Sequence, residues 1–322
     1  MAIQKKVSLK TTDNSFVKSF ADKTKPRQGW KESIKAIQKK LGNDPAYKLI
    51  QEFESLTPKL CLILCLCLLG PKAFAGGAWG RKPQTAFAHF SYFSLDRNQF
   101  YGSDGKVKTL SKYQRNEVDF YSEFGLPYHL TTVFSLPLWM DHSAHGNSHG
   151  SFGDANLEMQ YKLPLQALPM ALGMGIGLPI GDHDRQDSLN TGDGEYDLLF
   201  KIYAAKPLWN GNFKVEGALG YHLRTLDYTD DYQYSAKLSA HIYRGTWASG
   251  VLRGQKTWKA PKPEKINPYL GFGEGVEYVS PGIEVFFPIG DSYHLSIGNY
   301  TALSARNIIA QSYFVMGLGF NL

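Results

Sequence analysis

Residues 154–163, DANLEMQYKL, set Ala155, Leu157, Met159, Tyr161 and Leu163 in alternation against Asn156, Glu158, Gln160 and Lys162. A period of two is the mark of a strand with unlike faces, because successive side chains leave an extended backbone on opposite sides. The next segment, 167–181, repeats the pattern with Leu172, Met174, Ile176 and Leu178 against Ala171, Gly173, Gly175 and Gly177. So does YQYSAKLSAHIY, 232–243, with Leu238 and Ile242 against Lys237, Ser239 and His241. A soluble barrel turns its apolar face inward, whereas a membrane barrel turns it toward lipid and keeps polar or small residues inside. Long segments with one polar or small face favour the second arrangement.

Working outward from these three, strands are expected at about 84–95, 113–124, 129–140, 154–163, 167–180, 195–207, 213–224, 232–243, 246–256, 276–287, 293–302 and 307–321. The expected fold is all-β, a closed antiparallel transmembrane barrel of about twelve strands. Short joints at GLPYH, PLQAL, WNGN, RGT and IGDS alternate with long ones at 96–112, 141–153, 181–194, 225–231 and 257–275, and only 303–306 is a short joint on the long-loop side. Closure follows from physics, since an open edge in lipid would leave backbone groups unpaired. The last strand places Phe314, Met316, Leu318, Phe320 and Leu322 on one face, similar to the terminal signal of outer-membrane barrels, though with leucine where an aromatic is usual. Trp139, Trp209, Tyr243 and Trp247 at strand ends suit either interface girdles or ordinary packing.

The chain of 322 residues carries a formal net charge of +6, but residues 1–58 alone hold 12 basic and 6 acidic side chains. Residues 76–322 hold 21 basic and 23 acidic, so the basic balance belongs to the leader and argues for no nucleic-acid partner. Between them, 59–75 has Lys59, an apolar run from Leu60 to Leu69, and the small-residue triplet Ala73-Phe74-Ala75, which reads as a secretory signal cut after Ala75. The three cysteines, Cys61, Cys65 and Cys67, all lie in it, so the mature chain is expected to hold none. The division expected is therefore 1–58, a partly helical or disordered extension outside the mature protein; 59–75, the signal; and 76–322, the barrel. A start at Leu56 would give a signal of ordinary length.

GAWGRKPQ, SEFGLPYHLT, GDANLEMQYKL, GLPIGD and LNTGDGEYDLLFKI, spread from about Gly77 to Leu322, resemble the XagA and MetA-pathway-of-phenol-degradation group of barrel proteins. The resemblance implies an outer-membrane barrel and brings no catalytic residue with it.

Period-two reading puts Glu117, Asp119, Glu123, Glu158, Lys162, Asp197, Lys201, Lys214, Glu216, His222, Arg224, Lys237 and His241 on the inward face. Such a set could tune the selectivity of a pore or pair into a network that stiffens the lumen. Twelve strands lie between the filled interior of eight and the aqueous channel of sixteen, and small inward residues such as Gly173, Gly175 and Gly177 suggest open space along one wall. The loop DHSAHGNSHGSFGD offers His142, His145 and His149 as metal ligands, against the reading of a flexible solvated loop. GNSHG matches a hydrolase nucleophile pattern without the helix that pattern needs. His149 and Ser151, two apart, could instead share a face and hydrolyse lipid, with a polar rim as the bland alternative. No nucleotide or calcium fingerprint appears, and no cofactor is expected. The functions in view are a passive channel for small, including hydrophobic, solutes; a lipid-hydrolysing barrel; and a sealed structural or surface-interaction barrel. Expected partners are outer-membrane lipid, lipopolysaccharide and the outer-membrane assembly machinery.

Overall fold

The computed structural model describes residues 77–165, 167–260, 274–310 and 312–322; the extension, the signal and most of the 257–275 joint lie outside the described residues. Among the described residues are fifteen strands: β1 Ala86–Tyr101, β2 Val107–Gly125, β3 Leu130–Ala144, β4 Asn147–Ser151, β5 Ala155–Lys162, β6 Met170–Leu178, β7 Asp197–Leu208, β8 Phe213–Leu223, β9 Asp231–Tyr243, β10 Thr246–Thr257, β11 Glu277–Ile289, β12 Tyr293–Thr301, β13 Ser304–Arg306, β14 Ile308–Ile309 and β15 Ser312–Asn321. Twelve of them form the wall, each antiparallel to its neighbours, and β4, β13 and β14 are short additions in the outer joints. The ring is closed through β10–β11 at one point and β1–β15 at another. Ala86 and Leu322 exchange both backbone hydrogen bonds at 2.8 and 2.9 Å, so the two ends of the barrel sequence meet.

The alternation sets which way each face looks. Leu172, Met174, Leu238, Leu219 and Ile283 stand on the outer surface, with Met174 60% and Leu219 69% exposed, while Ala171, Glu158, Gln160 and Ser239 are buried inside. An apolar exterior over a polar interior is the arrangement of a barrel solvated by hydrocarbon.

Three joints differ from expectation, each because backbone pairing continues past the last apolar alternation. β1 and β2 run on to Tyr101 and from Val107, leaving five residues between them rather than a long loop. β3 continues to Ala144, turns at His145-Gly146, both at positive φ (53° and 82°), and returns as β4. That two-residue turn is the type whose twist matches the flanking strands, and it converts most of 141–153 into a hairpin. The 303–306 joint is longer than expected: β13 pairs with β11 and β14 with β1 before β15 starts at Ser312.

Candidate functional site

Among the described residues, two cavities stand out in the lumen. One, of about 700 Å³, is lined from β1, β2, β9–β12 and β15 and includes Glu117, Asp119, Lys237, Arg253 and Glu284. The other, of about 530 Å³, is lined from β2–β10 and includes Glu158, Asp197, Lys201, His222 and Arg224. Arg115 and Tyr121 of β2 line both.

Each end of the lumen is narrowed by chain folded into it. On the long-loop side, Leu189 of the β6–β7 joint is 1% exposed and packs on Leu95, Tyr113, Ala144 and Ile309. Asp154 tethers the same joint, accepting from the backbone N–H of Gly181 and of Asp193, both at 2.9 Å. Burial pushes this carboxyl up to about 6 against the pull of those two donors. On the short-turn side, the 3-10 turn Gly77–Trp79 rests on β5, β6 and β7. Its Trp79 Nε1 donates to Glu216 at 3.1 Å. Arg81 follows, with Nε on Glu123 at 2.7 Å in a fully buried ion pair and the guanidinium 4.7 Å from the Phe87 ring centroid.

The expected inward set is distributed through this interior. Glu117 pairs with Arg115, and Glu123 accepts from Tyr121 at 2.6 Å as well as from Arg81. Glu158 accepts from Tyr203 at 2.6 Å, Gln160 at 2.9 Å and Lys201 at 3.3 Å. His222 bridges Asp197 at 3.2 Å and Asp231 at 3.0 Å. Arg224 holds Asp193 at 2.7 Å and pairs with Glu195. Lys237 meets Glu284 at 2.5 Å. Asp119 lines the larger cavity, and the remaining four gather near the short turns: Lys162 ends β5 beside Gly80, Glu216 holds Trp79, Lys214 lies 4.1 Å from the Trp247 ring centroid, and His241 accepts from the Gly245 N–H at 3.1 Å. Trp247 therefore looks inward, whereas Trp139, Trp209 and Tyr243 are exposed.

The glycine wall is not open space. A Cβ on Gly173 would meet Glu158 Oε1 at 2.3 Å, one on Gly177 would meet Asp197 at 2.5 Å, and one on Gly220 would meet Lys201 at 3.2 Å. The small residues make room for long inward side chains of neighbouring strands to lie flat against them.

Arg115, Arg253 and Glu284 were not in the expected set. Arg115 shares its face with Glu117 and Asp119, so its spacing was a sufficient signal. Arg253 sits on β10, whose inward face carries Trp247 and Val251 and whose outward face carries Gly250 and Gly254, so its polarity contrast is weak.

In the β3–β4 hairpin His142 is buried and hydrogen bonds Tyr113 at 2.8 Å through Nδ1, while His149 Nε2 bonds Asp182 at 2.7 Å. His145 occupies the turn. The three do not converge, and among the described residues no group of three or more His, Cys, Asp or Glu is placed to hold a metal. His149 and Ser151 pair with His142 and Met140, and so share the buried face of the hairpin rather than the one toward lipid. A strand, not a helix, carries GNSHG.

With this geometry in hand, comparison with known proteins gives one decisive match: residues 99–316, more than half of the chain, fit the model of the family described as putative MetA-pathway of phenol degradation. The chain belongs to this family. The closed barrel of this chain is similar to a solved structure, the COG4313 outer membrane channel from Pseudomonas putida F1, which matches at TM-score 0.60 and 15% identity over 78% of this chain and 100% of that one. The NanC porin matches at TM-score 0.47 and 8% identity, covering 73% of this chain and 100% of that chain. The CymD monoaromatic hydrocarbon channel matches at 0.39 and 9%, covering 75% and 88%. These likenesses concern the fold. The search of curated proteins gave no match.

Proposed function

We propose that this family member is a passive outer-membrane channel for small solutes, hydrophobic ones included. The observation that carries the reading is the pair of cavities, about 700 and 530 Å³, that share Arg115 and Tyr121 inside a wall whose outer surface is apolar. A sealed barrel of this width would be expected to fill that space with side chains. The larger cavity mixes ionised groups with Phe87, Phe93, Phe286 and Tyr300, so a solute with an apolar body finds ring surface along its way. Fold likeness to solved channels adds support of the coarser kind. In this reading the apolar band sits in outer-membrane lipid, the acidic outer joints meet lipopolysaccharide, and the β15 face is offered to the assembly machinery.

Purified protein reconstituted in a planar bilayer is expected to give discrete conductance steps. Folded protein, identified by heat-dependent gel mobility, that conducts nothing would overturn the channel and leave the sealed barrel.

A further inference from the structure

Formal charge in the larger cavity is unevenly divided. On β2, Glu117 and Asp119 stand with one guanidinium, Arg115, while the third carboxyl group of that strand, Glu123, is held by Arg81. Across the lumen two cations, Lys237 and Arg253, share one carboxylate, Glu284, at 2.5 and 3.0 Å. The strand order makes this a true opposition: β2 and β9, which carries Lys237, are separated by the same number of strands in either direction round the ring. Glu117 and Asp119, two apart on β2, face the same cavity, and Arg115 pairs with Glu117, so this wall holds one more carboxyl group than it has guanidinium groups to meet it.

Between the two charged walls stand rings. Tyr300 and Tyr313 stack at 5.3 Å and 20°, and Phe93 meets Tyr313 edge-on at 5.4 Å. Tyr313 lines the same cavity as Arg115, Glu117, Arg253 and Glu284, so both charged walls face one aromatic floor.

We infer that the larger cavity is a binding site for small zwitterions with an apolar side chain, of the α-amino-acid type. An ammonium donates to Asp119 and Glu117 and supplies the cation that this wall lacks. The carboxylate of the same solute turns to Lys237 and Arg253, whose combined charge exceeds that of Glu284. Its side chain lies on the Tyr300–Tyr313 floor, where a ring or branched chain is desolvated. A solute with a single charge satisfies one wall and leaves the other as it was.

This assignment rests on the channel reading, and the test separates the two. Proteoliposomes are loaded by uptake of L-phenylalanine, phenylacetate, phenethylamine or arabinose. Phenylalanine is expected to enter about tenfold faster than either single-charge analogue, the gain of one added charge-assisted contact. In the double variant Glu117→Gln, Asp119→Asn the advantage over phenylacetate should vanish; in Lys237→Gln the advantage over phenethylamine should vanish. Heat-dependent gel mobility shows that both variants fold, and every entry rate is read as its ratio to arabinose entry in the same variant. Equal entry of the three charged or zwitterionic probes with arabinose passing would overturn the zwitterion site and spare the channel. Exclusion of arabinose along with the rest, from folded protein, would overturn both.

Discussion

At the scale of single residues, the interior works by fitting long polar side chains against small ones. Gly173 is the clearest case, because Glu158 lies across it while held by Tyr203, Gln160 and Lys201. Gly173→Val would force the carboxylate to swing and give up those partners, at a cost of about 1–3 kcal/mol. The temperature at which gel mobility shifts to the unfolded form should fall accordingly. Asp154 gives a pH-dependent counterpart. Its carboxyl in the folded chain sits at about 6, above its ordinary value of 3.8, so the folded form holds the proton more tightly than the unfolded one. The stabilisation linked to that proton is complete at acid pH and is lost as pH rises through about 6. Proteolytic nicking of the 181–194 joint should therefore increase between pH 5 and pH 7.5, and Asp154→Asn should make the rate independent of pH over that range.

Among elements, the N-terminal turn has the largest consequence for passage. Gly77–Trp79 and Arg81 occupy the short-turn end of the lumen through Trp79–Glu216 and the buried Arg81–Glu123 pair. Removing one partner of a buried pair leaves an uncompensated charge, a loss of about 3–5 kcal/mol. In Arg81→Ala the turn loses its anchor while Glu123, on wall strand β2, keeps Tyr121 as a donor, so single-channel conductance should rise while the barrel's backbone ladder survives. Unchanged conductance would show that the turn does not limit flow. The wall strands were legible in sequence because their alternation is imposed by two solvents. The β1–β2 and β3–β4 extensions were not, because beyond the membrane both faces meet water or loops and the alternation fades. Leu189, which narrows the other end, was equally hidden: nothing periodic in 181–194 says that one leucine turns inward while Arg185 and Asp187 pair with each other.

For the molecule as a whole, the outward set is the part most exposed to test. Met174, 60% exposed on β6, stands on the apolar exterior, and Met174→Arg should destabilise the barrel by about 2–4 kcal/mol if it lies near the bilayer midplane. Folding titrations into lipid vesicles would measure it, and an unaffected variant would mean that this face does not meet hydrocarbon. Much of the interior was legible by the same logic, since Glu117, Asp119, Glu158 and Lys237 follow from the parity of their strands. What parity could not give is how the charges are shared. That Lys237 and Arg253 lean on one carboxylate depends on β9, β10 and β11 lying side by side, a fact of ring order rather than of any local pattern.

The mutual backbone bonds of Ala86 and Leu322 carry one more implication. The seam joins the first strand of the wall to the last, so products that lack the end of β15 leave β1 with no partner along part of its length. Such products would keep raw edges open to proteases in the periplasm, and quality control comes built into the order in which the chain is made.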